Sequence, residues 1–403
     1  MGEVLATDSA LGRIDTAIDD VIEECDFDNM SREEIRGIQF DHGLAWIHFD
    51  EGHGGLGLRP DLQGHIEQRL RAAGAPAQDP STFFLALAGP TVHTHGTDAQ
   101  KRRFLRPMFT GEDRWCQLFS EPGAGSDFAG LGSKAAKDGD EWIVSGQKVW
   151  NTLAHAADLG MLVTRSNSEV PKHRGMTYFA LDMNSPGVEV RPLRQITGEA
   201  EFNEVYMTDV RVPDADRLGD VGDGWRVSLT TLMNERSAIG SAGSPKRGSG
   251  AIASLVDTWN DAPEYARTPI ARDHMMRLWA RAETLRLTNM RASQNRTAGN
   301  PGPEMSVAKL AFASLNQEIM EAAINLEGPG GQVDFDYTYR RPEDLSVSGA
   351  ESGTHHAFLR VRANSIEGGT SEIMRNIVGE QVLGLPGEPR VDKEPPWSRV
   401  PRS

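Results

Sequence analysis

The sequence predicts an α+β protein built in three successive parts: helical, then β, then helical. Three observations carry that reading. From about Asp8 to Arg114, apolar residues recur at three- and four-residue spacing, as in Ile14, Ile18, Val21 and Ile22. After Cys116 the period changes to alternating or short β-branched and aromatic runs bounded by Gly, Pro and Asn. From about Gly224 helical spacing returns and persists to Leu383. The expected boundaries are an N-terminal helical domain (1–115), a central β domain (116–224), a C-terminal helical region (225–385) and a proline-rich flexible tail (386–403).

In the first part, a glycine-rich loop (Gly43 to Leu58) interrupts the helices, and the acidic run from Asp19 to Asp28 reads as a solvated helix face. The second part predicts five strands: Glu141 to Trp150, Met161 to Ser166, Met176 to Met183, Gly187 to Leu193 and Phe202 to Pro213. Short strands at such close spacing suggest an antiparallel sandwich or barrel. The third part is broken by a Gly/Ser-rich turn at Gly240 to Gly250 and by a polar loop from Gly328 to about Gly353. No internal repeat is visible.

Composition narrows the function. With 403 residues, the chain is long enough for two or three domains. Its 58 acidic against 42 basic residues give a net charge of −16, which argues against general nucleic-acid binding. That excess lies entirely before residue 225. Beyond it, acids and bases balance at 21 each, and 18 of those bases are Arg, the side chain suited to forked phosphate contacts. Two cysteines, Cys25 and Cys116, predict neither a disulfide framework nor an all-cysteine metal site, and no other metal site is expected. The N-terminus lacks a signal-peptide pattern, and the longest apolar run, Phe83 to Ala88, is far short of a membrane span. A soluble cytoplasmic protein is therefore expected.

Three short segments carry chemistry. In LFSEPGAGSD (Leu118 to Asp127), Gly123 and Gly125 allow a tight turn with successive free amides, and Ser120 and Ser126 add hydroxyls; a plain β-turn explains the same spelling. KVWNT places Trp150 and Thr152 on one face of a predicted strand, where they offer a flat wall and a hydroxyl to a planar ligand. In IEGGTSEIMRNIVGE, Gly368 to Ser371 precede a helical run whose first amides are suited to an oxygen ligand or simply to a cap.

Together, in this order and spelling, the three segments resemble the acyl-CoA dehydrogenase flavoproteins over about Leu44 to Pro386. Gly89 to Leu105, Val210 to Trp225 and the RNIVGEQVLGLP stretch add support. The resemblance implies a C-terminal four-helix bundle behind the helical and β domains, FAD as cofactor, and α,β-dehydrogenation of an acyl-CoA. In that reaction a carboxylate takes the α-proton, the β-carbon delivers hydride to flavin N5, and electrons pass to an electron-transfer flavoprotein. Residue by residue, it assigns Gln117, Leu118, Ser120, Gly125 and Ser126 to the flavin and its phosphates. Trp150 is assigned to the flavin face, Thr152 to the N5 edge, and Thr370, Ser371 and Glu372 to the ribityl and adenine side. Ser126, Arg236 and Gly368 are assigned to the substrate. A homo-oligomer, or a heterotetramer with a related subunit, is implied.

The chain departs from the family pattern at three points. Many members carry the catalytic glutamate where this chain has Gly368, and Glu367 is one residue out of register. Other members use a glutamate directly before an arginine on a C-terminal helix, and Glu235-Arg236 falls on that position, which makes Glu235 the expected base. The Arg-x-x-Phe-Gly stretch that reaches FAD from a neighbouring subunit is missing, with Arg267 or Arg272 as substitutes. Leu326 to Phe335 only approximates the second glycine motif. Two alternatives follow: a non-catalytic subunit beside an active partner, or a flavin-dependent oxidase or monooxygenase on the same fold. Small residues after Glu235 (Ser237, Ala238, Gly240) suggest room for a bulky or branched acyl chain.

Overall fold

Capping residues set where the N-terminal helices begin. Ser31 and Thr97 each accept the amide three residues ahead, while Glu34 and Gln100 at those positions reach back to the cap amide. The computed structural model describes residues 2–76, 84–241, 246–297, 302–333, 338–343 and 353–401, with the backbone alone described at 2–8, 236–241 and 296–297. The first domain holds α1 (Gly2–Glu24), α2 (Arg32–Asp41), α3 (Gln63–Ala72), α4 (Leu85–His95) and α5 (Asp98–Thr110). The acids at 19, 20, 23 and 24 lie exposed on α1, as their run predicts. The loop before α3 needs glycine: a Cβ at Gly55 would fall 2.2 Å from the Phe49 carbonyl oxygen.

The central domain is an eight-stranded sheet: β1 (Trp115–Leu118), β2 (Lys134–Asp138), β3 (Glu141–Lys148), β4 (Leu159–Arg165), β5 (Met176–Asp182), β6 (Val188–Pro192), β7 (Asn203–Pro213) and β8 (Arg217–Leu218). The order is β6-β7-β3-β2-β4-β5-β8, with β1 beside β4. All five predicted strands are present, and three more were not read. β1 and β8 are too short to show a period, and β2 (KAAKD) is largely solvated. The pairing is mostly antiparallel, but β1 and β2 both run parallel to β4. Strand β3 stops at Lys148, because Trp150 adopts the left-handed region (φ 62°), so Trp150 and Thr152 do not share a strand face.

Strands β4 and β5 are buried on both faces, and the two-residue period sorts their side chains. Met161, Val163, Met176, Tyr178 and Ala180 join one core with α4, α5 and Val227; Leu162, Phe179 and Leu181 join the other with β3 and β7. The helical region comprises α6 (Gly224–Ser241), α7 (Ala251–Asp261), α8 (Pro269–Thr297), α9 (Glu304–Leu326), α10 (Thr354–Arg360) and α11 (Ser371–Ile377), with α9 packed against all the others. Helix α6 ties the three parts together. The Thr231 hydroxyl meets the Thr91 hydroxyl of α4 (2.9 Å) and the Tyr178 hydroxyl of β5 (3.2 Å), all fully buried.

The chain end is not a free tail. Trp397 is buried, its amide donates to the Val170 carbonyl (2.9 Å), and Ser398 N donates to the Ser168 carbonyl (2.9 Å). Proline content alone reads as flexibility, but here Pro396 bridges to Pro171 and aims the indole into the β domain. None of the described helices is long and apolar enough to cross a membrane. Replacing the central hydroxyl of the domain junction, Thr231→Val, strips Tyr178 and Thr91 of a buried partner. The expected loss is about 1–3 kcal/mol of unfolding free energy, read from the urea midpoint.

Candidate active site

The first two motifs are laced together beneath the turn. Lys148, with a fully buried side chain, donates to the Phe119 carbonyl (3.1 Å) and to Glu121 Oε1 (2.8 Å). Glu121 also accepts the Gly132 and Ser133 amides (2.7 and 3.0 Å). Burial pushes the Glu121 carboxyl up, but the Lys148 ammonium and these donors prevail and hold it below its ordinary value. Above this pair, Glu121 and Ala124 exchange backbone hydrogen bonds, so EPGA is a tight hairpin turn. Val149 N donates to the Ser120 carbonyl (2.9 Å) and Asn151 Nδ2 to the Gln117 carbonyl (2.8 Å).

These contacts fix what each segment presents. Leu118 joins the core shared with β3 and β7, fully buried, which leaves only its backbone toward the site. Ser120 is partly buried, and Gly125 and Ser126 are exposed at the end of the turn; a Cβ at Gly125 would meet nothing within 4 Å. Trp150 exposes 58% of its surface and stands edge-on to Phe202, with ring centres 5.9 Å apart. Asn151 Oδ1 is buried without a hydrogen-bond partner among the described residues.

The third motif reaches the same place through two cations. Arg360, almost fully buried, pairs with Glu201 (3.0 Å) and Glu367 (3.2 Å), and its guanidinium lies 5.6 Å over the Phe202 ring. The Glu201 carbonyl accepts the Leu153 amide (2.8 Å), directly after Thr152. Lys309 on α9, also buried, donates to the carbonyls of Asn364 (2.9 Å) and Gly369 (2.5 Å). Gly368 and Gly369 are left-handed (φ 63° and 94°), and the Thr370 hydroxyl caps α11 by accepting Ile373 N (3.2 Å). Ser371 is half-buried and Glu372 exposed in the first turn.

The two candidate bases differ in their company. Glu367 is held by both Arg360 nitrogens and by Asn364 Nδ2 (2.6 Å). Glu235, half-buried one helical turn beyond Thr231 on α6, accepts Gln117 Nε2 (3.2 Å) from the strand that leads into LFSEPGAGSD. The side chains of Arg236, Ser237 and Ala238 lie outside what is described, as does Phe335 entirely. Arg267 and Arg272 are exposed around the start of α8 and form no hydrogen bond or ion pair with the described site residues. Sequence reasoning missed Lys309 and Arg360. A lysine in the buried stripe Lys309, Ala313, Asn316 and Met320 is the signal that was available for the first.

The Gln117–Glu235 contact joins the strand that leads into the hairpin turn to a carboxylate on α6, so the candidate site lies between the β domain and the helical region. Comparison with known proteins gives it a family. The N-terminal, middle and C-terminal domain models of acyl-CoA dehydrogenase match residues 6–112, 116–210 and 222–383. Acyl-CoA dehydrogenase IpdE1 of Mycobacterium tuberculosis is 35% identical over 347 residues, 86% of each chain. Acyl-CoA dehydrogenase FadE34 of the same organism is 37% identical over 360 residues, 88% of this chain but only 46% of that longer protein. The ChsE4-ChsE5 complex from Mycobacterium tuberculosis contains a chain with a TM-score of 0.70 at 25% identity, covering 94% of this chain and 98% of that one. The chain belongs to the acyl-CoA dehydrogenase family, whose cofactor is FAD.

The residues present fit that cofactor. The exposed Trp150 face suits a planar ring, the open side of Gly125 admits close approach, and the unpartnered Asn151 oxygen can accept a donor. The Lys148–Glu121 pair underlies all of this. Lys148→Met leaves a buried carboxylate uncompensated and is expected to cost about 3–5 kcal/mol by urea unfolding. Because the Glu121 carboxyl is held low, its contribution is present above the ordinary carboxylate value of 4.5 and is lost as acid protonates it below that value. Urea midpoints across that acid range should therefore fall less steeply for Glu121→Gln than for the parent chain.

Proposed function

We propose that this chain is an active acyl-CoA dehydrogenase in which Glu235 removes the α-proton of an acyl-CoA thioester. The carrying observation is the 3.2 Å contact between Gln117 Nε2 and Glu235 Oε2, which joins the bundle carboxylate to the segment matching the family's flavin motif. Gln117, the Leu118 backbone, Ser120, Gly125 and Ser126 would hold FAD from the turn side. Trp150 would cover the ring face, Thr152 its edge, and Thr370, Ser371 and Glu372 the ribityl and adenine side. Bound there, FAD supplies the acceptor for the hydride that leaves the β-carbon.

The chain's own residues handle the proton. Glu235 in its carboxylate form needs a position oriented before substrate arrives, which Gln117 helps to provide. Glu367 is a poor base, since both its oxygens are engaged by Arg360 and one by Asn364. Its left-handed neighbour Gly368 stands where many relatives place the glutamate, and a non-glycine side chain there would carry backbone strain. Ser126, Gly368 and Arg236 belong to the acyl-CoA side of this reading, and electrons leave to an electron-transfer flavoprotein. The likeness to a chain of the ChsE4-ChsE5 complex supports assembly with a related subunit.

Glu235→Gln is expected to retain FAD and to slow anaerobic flavin bleaching by acyl-CoA by about 10²- to 10⁴-fold. Bleaching at the parent rate would remove Glu235 as base. Glu367→Gln should keep bleaching and lose thermal stability instead, because it leaves the buried Arg360 short of a partner. For the substrate, titration with straight, branched and ring-bearing acyl-CoAs should show reduction by the bulky members; reduction by short straight chains alone would overturn the bulky-chain reading.

A further inference from the structure

The buried lysine Lys172 serves two distant parts of the chain. Its ammonium pairs with Asp127 Oδ1 (2.7 Å), the last residue of LFSEPGAGSD, and with Asp392 Oδ2 (2.5 Å) near the C-terminus. Five residues on, the Trp397 indole packs beneath the segment that follows the motif. Its Nε1 donates to the Gly130 carbonyl (3.2 Å), its ring is 3.7 Å from where a Gly132 Cβ would stand, and the Arg165 guanidinium lies 4.8 Å over it. Arg165 in turn donates to the carbonyls of Ala129 (2.6 Å) and Lys172 (2.5 Å). Gly132, part of this packing, donates its amide to Glu121. The exposed Gly125-Ser126 turn is thus supported from one side by the Lys148–Glu121 pair and from the other by the chain end.

We propose that residues 392–398 form a strap that positions the Gly125-Ser126 turn for its ligands, with Asp392 and Trp397 as positioning residues. The inference rests on the assignment of that turn to FAD and acyl-CoA made above. The strap touches neither ligand. It acts by fixing Asp127 and Gly130 to Gly132, so the amides and the Ser126 hydroxyl keep one arrangement without each ligand having to order them.

The test uses the full chain with FAD and three variants: Trp397→Ala, Trp397→Phe and Asp392→Asn. In Trp397→Ala, amide hydrogen exchange at residues 123–133 should accelerate at least about tenfold, with β6 and β7 unchanged. Losing a buried contact of this kind should also raise the FAD dissociation constant and the acyl-CoA KM about tenfold, with kcat at saturation within about twofold. Trp397→Phe should restore most of the packing, and Asp392→Asn should move every readout the same way by less. Faster exchange with unchanged FAD affinity and KM would reduce the strap to a structural brace and overturn the proposal; unchanged exchange would overturn it outright. Should Trp397→Ala fail to fold, Asp392→Asn decides the matter, since it removes one contact at the rim. Exchange is read without turnover, so failure of Glu235 as base would leave this result standing.

Discussion

The site depends on one buried charge pair. Lys148 and Glu121 come from β3 and from the hairpin turn after β1, and neither is tolerable alone in the core. Because Lys148 also binds the Phe119 carbonyl and Glu121 also binds the Gly132 and Ser133 amides, the pair fixes three backbone positions at once. Everything above it inherits that precision. The hairpin presents Gly125 and Ser126, and the chain after Lys148 turns out of the sheet so that Trp150 faces outward, held in a conformation that a free tryptophan avoids.

The second organising feature is a polar junction between domains. Thr231 joins α4, β5 and α6 through hydroxyl contacts that are fully satisfied within the core, and Glu235 follows one helical turn later. Apolar packing there would permit sliding, whereas directed hydrogen bonds set the rotation of α6 about its axis. On the opposite side, Arg360 draws Glu201 of the β domain and Glu367 of the last loop to one guanidinium, and Lys309 holds that loop by its carbonyls. Three motifs far apart in sequence therefore meet through cations buried where no solvent competes for them.

Much of this was legible in the sequence, and the remainder was hidden for identifiable reasons. The helical, β, helical order follows from a change of period, and five strands long enough to show that period were placed. The four residues of β1 and two of β8 carry no period, and the alternation through Lys148 extended β3 falsely to Trp150, because a left-handed backbone leaves no mark on hydropathy. The motif residues were readable because each is a local spelling. The contacts that assemble them are not local: Gln117 and Glu235 are 118 positions apart, and Lys309 and Gly369 are 60. Lys309 looks like any charged residue until the buried stripe of α9 is drawn.

The placement of Trp397 changes how the making of this protein should be viewed. Trp397 bonds to Gly130 across 267 positions, so the seam beneath the Gly125-Ser126 turn closes only after residue 397 has been made. During synthesis the β domain has all its strands long before that indole leaves the ribosome, and for that interval Gly130 to Gly132 lack their cover. A chain cut short before Trp397 would carry every motif named above and still lack the cover at this seam.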